Sequence, residues 1–416
     1  MAKNRIMILS DVHIGIDAKS NWYQSKIHQD MLIASLQWAQ NPANNVQELV
    51  LLGDLVDLWT YPPEIIPPSF EVVTLLNGVN KALFGPTGEL AKTVNALGKN
   101  NVVYVNGNHD MTVTADQIHS AISPDVNVMP INLPYYIPSL GPRPIFLTHG
   151  HIYSLLCAND YTNPPANWNN LPLGYFITRM SALLSNIECK KLNQMNAAYL
   201  KKLGNPLGFD LGEMLLNLLK MWKDGIPFNL PNMVINALQP DPKDHDQVTS
   251  FVMPRYNRQD VTATTDDVET AYPKLLGGTI KNPSSTWSQK SQIESKYYAN
   301  LNNVDGALIA FADADAVCDL TGWAAALEVE LFSGEGKPII VLGHTHIPKN
   351  DHKILFYTNS GFNCPAIPDM DDGKKKPTFS VVEWKGNDNY SISVHSLNSD
   401  GTVLEDENPK ILSGKK

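Results

Sequence analysis

The sequence predicts an α/β protein, and three observations carry that reading. Short apolar runs end in polar turns, helical stretches follow them, and the same rhythm returns near the C-terminus. The first runs are Ile6–Leu9, Glu48–Leu52, Val102–Val105 and Ile145–Leu147. Short apolar runs bounded by turns read as buried strands. Between them, Lys26–Gln40, Glu71–Leu83 and Glu89–Leu97 read as helices, and strands alternating with helices imply α/β layering. The pattern resumes at Pro338–Leu342 and continues through Ile354–Tyr357, Phe379–Trp384 and Ser391–Ser396. These last runs are close together in sequence and are expected to pair antiparallel.

The chain has 416 residues. At about 150 residues per domain, that means two or three domains, or one enlarged domain with a long insertion. Hydrophobic residues make up 43% and charged residues 18%, which supplies a core and excludes a disordered chain. Against 42 Asp and Glu stand 32 Lys and Arg, a net charge of −10, so no basic stripe exists to track a nucleic-acid backbone. A nuclease reading lacks that surface. Phosphate substrates stay open, because bound metal ions supply positive charge that side chains do not. Cys157, Cys189, Cys318 and Cys364 are scattered, without a CxxC pair, and read as ordinary thiols. The apolar run Ile6–Leu9 is too short for a signal-peptide core, and no apolar run reaches the length of a membrane span. The expectation is a soluble, cytoplasmic protein.

The chemistry-bearing residues follow the strands at once. Ser10-Asp11-Val12-His13, Gly53-Asp54, Asn106-Gly107-Asn108-His109-Asp110, His149-Gly150-His151 and Gly343-His344-Thr345-His346 each close an apolar run. Open α/β sheets place ligands at such strand ends. A metal pair needs oxygen and imidazole donors converging from several strand ends, one carboxylate being able to bridge. The candidates are Asp11, His13, Asp54, Asn108, His149, His344 and His346. Residues i and i+2 of an extended segment point the same way, which would aim Asp11 with His13, and His344 with His346, into one cavity. Glycines at 53, 107, 150 and 343 permit tight turns there. His151, two residues from His149, is a candidate phosphate contact, as is Arg179, a side chain suited to clamping phosphate. Asp110 reads as a turn residue whose carboxylate caps neighbouring N–H groups.

The stretch 157–330 breaks the rhythm with loop-rich segments such as Thr162-Asn163-Pro164-Pro165. Within it, Leu211, Leu215, Leu218, Leu219 and Trp222 form one apolar stripe at helical spacing, suited to packing on the body or to a partner or membrane surface. The expected division is a core of 1–156 and 331–416 with a mainly helical insertion of 157–330. His149 and His344 are 195 positions apart, against 41 for Asn108 and His149. An insertion flanked by such residues is placed to roof a site and select substrates, or to serve as a dimerisation element.

The ordered set of motifs resembles the calcineurin-like metallophosphoesterases. It stands here as Asp11-Val12-His13, Gly53-Asp54-Leu55-Val56-Asp57, Gly107-Asn108-His109-Asp110, His149-Gly150 and Gly343-His344-Thr345-His346. The resemblance covers 1–155 and about 337–400 and implies a four-layer αββα sandwich with a dinuclear site on one edge of the sheets. It implies one metal held by Asp11, His13, Asp54 and His346, and another by Asp54, Asn108, His149 and His344. Asp54 would bridge, together with a water or hydroxide that attacks phosphorus in line. His109 is similar to the family's histidine that protonates the leaving oxygen or stabilises the transition state, with Asp57 as its orienting partner. The implied cofactors are two divalent or transition metal ions (Mn, Fe or Zn), and the implied substrate is a small phosphorylated molecule. Gly53–Trp59 and His149-Gly150 are also similar to UDP-2,3-diacylglucosamine pyrophosphohydrolases, in which Arg follows the motif asparagine where this chain has His109. A binding protein that kept the fold and lost its chemistry would show a damaged motif; all five are intact.

Overall fold

The computed structural model describes residues 3–17, 21–60, 80–131, 135–151, 338–346, 348–351, 356–359, 361–362 and 376–413, with 157, 252–253, 261–262 and 324 besides. The chain divides into two compact units. The first comprises 1–58, 71–150 and 318–416; the second comprises 59–70 and 151–317. In the second, the described strands Val252–Met253 and Val261–Thr262 (β7 and β8) pair antiparallel. The insertion and its apolar stripe otherwise lie outside the described residues.

The first unit is built on two sheets. Strands β1 (Arg5–Leu9), β2 (Val46–Leu52), β3 (Val102–Val105) and β4 (Asn127–Val128) run parallel. On the far side of β1, β12 (Thr378–Trp384) and β13 (Tyr390–Leu397) are antiparallel, as their close spacing predicts. β14 (Val403–Leu404) and β15 (Lys410–Leu412) complete that edge beside β13. The second sheet has the order β10-β11-β9-β6-β5. Its members are β5 (Tyr135–Tyr136), β6 (Ile145–Thr148), β9 (Ile339–Leu342), β10 (Lys349–Asp351) and β11 (Tyr357–Asn359). β6, β9 and β11 are parallel to one another. The run expected at Ile354–Tyr357 is therefore a strand that begins only at Tyr357 among the described residues.

Alternate residues of each strand point to opposite faces. Ile6, Ile8, Val50, Leu52, Val103 and Val105 from the first sheet meet Ile145, Leu147, Ile339 and Val341 from the second in one buried cluster. The intervening Met7, Leu9, Leu49 and Leu51 are buried as well, since the helices α1 (Ser25–Gln40) and α2 (Glu89–Leu97) cover the outer face. Strands covered on both faces read as continuous apolar runs, which is why they stood out in the sequence. α1 buries Met31, Leu32, Ser35, Leu36 and Ala39, a stripe at helical period. A third helix, α3 (Ala115–Ala121), starts at a capping box in which Thr114 and Gln117 satisfy each other's backbone N–H.

The helix expected over Glu71–Leu83 is not found where it can be checked. Asn80–Leu83 form a turn, and 71–79 lie outside the described residues. Three layers are thus described: helices, sheet and sheet. No described helix is long and apolar enough to cross a membrane.

Candidate metal centre

Because β1, β2 and β3 run parallel, their C-terminal ends meet at one edge, and the ends of β6 and β9 join them. Backbone bonds stitch the loops together: Asp11 N–H donates to Gly53 O (3.2 Å) and His13 N–H to Asp54 O (2.7 Å). Gly343 N–H donates to His149 O (2.9 Å). The His344 N–H donates to Asp11 Oδ1 at 2.9 Å, tying the second sheet's end to the first.

The Asp11/His13 and His344/His346 pairs converge, but not through extended backbone. Asp11, His13, Asp54, His344 and His346 have φ of 59°, 60°, 54°, 71° and 54°, all in the left-handed region. Among the described residues nine non-glycine positions are left-handed, and five of them belong to the predicted ligand set. Side chains there cost on the order of 1–3 kcal/mol each, and such strain collects at functional sites. The loop-to-loop bonds just named hold these residues in place.

Gly53 shows why the loops are glycine-rich. Its φ is +81°, and a Cβ there would lie 2.6 Å from the His149 ring and 2.7 Å from Gly107 Cα. A Cβ on Gly107 would lie 2.3 Å from Asp54 Oδ1. The loops can close around Asp54 only without those side chains.

All seven predicted ligands are buried in one place. Asp11, His13 and His346 offer donor atoms within 4.8 Å of one another, and so do Asp54, His149 and His344. His13 Nε2 and His346 Nε2 are 3.0 Å apart. His346 Nε2 lies 3.6 Å from Asp11 Oδ1. Asp54 Oδ2 lies between the groups, 3.1 Å from His149 Nε2 and 3.7 Å from His13 Nε2. Asn108 Oδ1 is 3.1 Å from His149 Nε2 and 3.0 Å from His344 Nδ1.

The electrostatics fit a cation site. Burial pushes the Asp11 carboxyl up to about 7, with Asp54 adding to the rise and His149 opposing it. Burial lowers His344 to about 3, and the neighbouring His149 lowers it further. Burial and His13 hold His346 well below the ordinary histidine range. Burial opposes protonation of His149, but the carboxylates of Asp54 and Asp11 prevail and raise it to about 9. Neutral imidazoles, as at His344 and His346, are the donor forms that hold a metal, whereas His149 would release its proton to an arriving ion. Buried His344 Nε2 has no hydrogen-bond partner among the described residues, which suits a donor meant for an ion. These clusters are able to bind metal.

Beside them, His109 Nδ1 lies 3.0 Å from Asp57 Oδ1. The second Asp57 oxygen is 3.3 Å from His13 Nδ1. Burial opposes ionisation of Asp57, yet His109 and His13 hold it far below the usual carboxylate range. Asp110 caps as its turn position predicts. Its carboxylate accepts from the N–H groups of Gly107 (2.7 Å), Leu55 (2.9 Å) and Asp54 (3.2 Å). It also accepts from Tyr104 Oη at 2.6 Å.

His151 is buried and belongs to the second compact unit, and Arg179 lies outside the described residues. Sequence reasoning missed Trp22, whose indole lies against His13 and His109. No periodicity or motif in the β1–α1 loop marks it.

Comparison with known proteins agrees with the geometry. The family model described as calcineurin-like phosphoesterase matches residues 4–204. A search of curated proteins gave no significant match. The protein carries a calcineurin-like phosphoesterase domain and is a metal-dependent hydrolase acting on phosphoric esters.

Proposed function

We propose that the protein hydrolyses small phosphorylated substrates at a dinuclear centre, with His109 as proton donor or transition-state stabiliser. In this reading one ion is held by Asp11, His13, Asp54 and His346, and the other by Asp54, Asn108, His149 and His344. Two donor clusters, Asp11 with His13 and His346 and Asp54 with His149 and His344, support that division, and Asp54 Oδ2 lies 3.7 Å from His13 Nε2 of the other cluster. Imidazole and carboxylate donors of this kind suit Mn, Fe and Zn alike. Bound there, such ions supply positive charge to phosphoryl oxygens and lower the pKa of a nearby water.

The chain's own residues supply the rest. The observation that carries the role of His109 is its buried contact with Asp57. Burial opposes protonation of His109, but Asp57 and Asp54 raise its pKa, so the imidazolium form is favoured. Asp57 stays ionised and holds Nδ1, which leaves Nε2 to deliver a proton to the departing oxygen. The Asp54 carboxylate accepts the His109 backbone N–H at 2.7 Å through Oδ1, so the proton donor is indexed to the central carboxylate. The insertion, flanked in sequence by His149 and His344, is the source of substrate selectivity in this reading.

The test is His109→Ala, assayed with aryl phosphates of graded leaving-group pKa. Metal content should be retained while kcat falls about 10²–10⁴-fold, the scale of a positioned acid–base group. The loss should shrink for good leaving groups, which need little protonation. Loss of metal in this variant would overturn the role given to His109.

A further inference from the structure

We propose that Trp22 is a positioning residue of the metal centre, its indole fixing the ring planes of His346, His13 and His109. The inference rests on the reading above, in which the first two hold an ion and the third moves a proton. The indole centroid lies 4.4 Å from that of His13, 5.0 Å from His109 and 5.1 Å from His346. The ring planes meet at 62°, 45° and 82°. Edge-on and tilted aromatic pairs at these separations are attractive and directional. His13 also meets His109 edge-on at 4.5 Å and stacks on His346 at 4.7 Å. Four rings thus form one packed group.

These imidazoles need such support for a specific reason. A metal-binding histidine usually has its second ring nitrogen tied by a hydrogen bond, which fixes the ring. His149 follows the rule, with Nδ1 2.9 Å from Leu52 O. His346 does not. Its Nε2 faces His13 Nε2, while its buried Nδ1 has no hydrogen-bond partner among the described residues. The orientation of that ring falls to packing, and among the described residues the rings packed on it are His13 and Trp22. For His109, the tether to Asp57 fixes one atom but not the tilt of the plane. His13 and Trp22 supply that restraint.

Trp22 is itself held. Its neighbours Asn21 and Tyr23 are fully buried, and its own side is 9% exposed. Gln24 Nε2 donates to Asn21 O at 2.8 Å, and Gln24 N–H donates to His28 Nδ1 at 2.9 Å where α1 begins. The loop therefore presents the indole from a built scaffold.

The experiment is Mn²⁺ binding to metal-stripped full-length protein by calorimetry, for the wild type, Trp22→Phe, Trp22→Leu and His346→Ala. Unfolding temperature and aryl phosphate hydrolysis at saturating Mn²⁺ are followed in parallel. Trp22→Leu should weaken one Mn²⁺ about 10–100-fold, the scale on which outer support of a ligand acts. Trp22→Phe, which keeps an aromatic wall, should stay within about threefold of wild type. At saturating Mn²⁺, the remaining kcat loss of Trp22→Leu should be largest for poor leaving groups. Wild-type Mn²⁺ affinity in Trp22→Leu, even with a lower unfolding temperature, would overturn the inference and leave Trp22 as plain packing. An unaltered Mn²⁺ isotherm in His346→Ala would instead overturn the ligand assignment itself. Should Trp22→Leu fail to fold, Trp22→Phe decides with Trp22→Tyr: aromatic variants that lose Mn²⁺ as His346→Ala does would contradict the proposal.

Discussion

The Oδ1 atom of Asp57 lies 3.0 Å from Nδ1 of His109, and both side chains are buried. The other oxygen of the same carboxylate faces His13 Nδ1 at 3.3 Å. One carboxylate thus serves the proposed proton donor and a proposed metal ligand together.

Asp57→Asn keeps the size of the side chain but removes its charge and reverses half of its hydrogen-bonding capacity. We expect kcat to fall about 10²–10³-fold. The Asp57→Asn/His109→Ala double variant should be little worse than His109→Ala, because residues acting as one unit are not additive. Steady-state kinetics of the two single variants and the double variant check this. Multiplying losses would show that the two residues act separately.

Asp110 has a different task. Four backbone N–H groups, of Asp54, Leu55, Val56 and Gly107, and the Tyr104 hydroxyl converge on its carboxylate and bind the β2 and β3 end loops to each other. Asp110→Ala would strand those buried donors, at about 1–3 kcal/mol for each unsatisfied group before relaxation. The expected net loss is about 3–5 kcal/mol, against about 1 kcal/mol for Tyr104→Phe, read from urea unfolding. Equal losses would contradict the view that the carboxylate organises both loops.

Much of this site was legible because its donors stand directly after apolar runs. Asp11, Asp54, Asn108, His149 and His344 follow strands buried on both faces, and parallel pairing brings those ends together. The backbone that aims them was not legible. The extended geometry expected for Asp11 and His13 is replaced by left-handed φ, which bonds from a distant loop impose, such as His13 N–H to Asp54 O. Propensity within one segment does not report such tertiary restraint. Trp22 was hidden for the same reason, since its partners His109 and His346 come from far along the chain. Asn80–Leu83 continue an apolar pattern in sequence, yet the chain turns there, and Gly85 N–H bonds to Ala121 O at 2.7 Å. Strands of two residues, such as β4 and β5, are too short to show a period.

His28 predicts acid sensitivity away from the metal centre. Burial lowers its pKa to about 4, below the ordinary histidine value of 6.5. Its Nδ1 accepts the Gln24 N–H, and its buried Nε2 has no hydrogen-bond partner among the described residues. Between these two pKa values the unfolded chain binds more protons, so stability is present above pH about 6.5 and is lost as pH falls towards 4. The contribution of this one group is on the order of 2–3 kcal/mol at pH 4. Urea unfolding at stepped pH should show a shallower slope over that window in His28→Gln than in the wild type. Parallel slopes would contradict this.

The account stands or falls on the cluster centred on Asp54. Native mass spectrometry of the full chain, stripped with chelator and then titrated with Mn²⁺, counts the ions directly while hydrolysis of a phosphoester is followed in the same samples. The account predicts two Mn²⁺ per chain, no turnover in the stripped protein and recovery of turnover as the ions load. A chain that binds no Mn²⁺, Fe or Zn, or that turns over fully when verified free of metal, would contradict it.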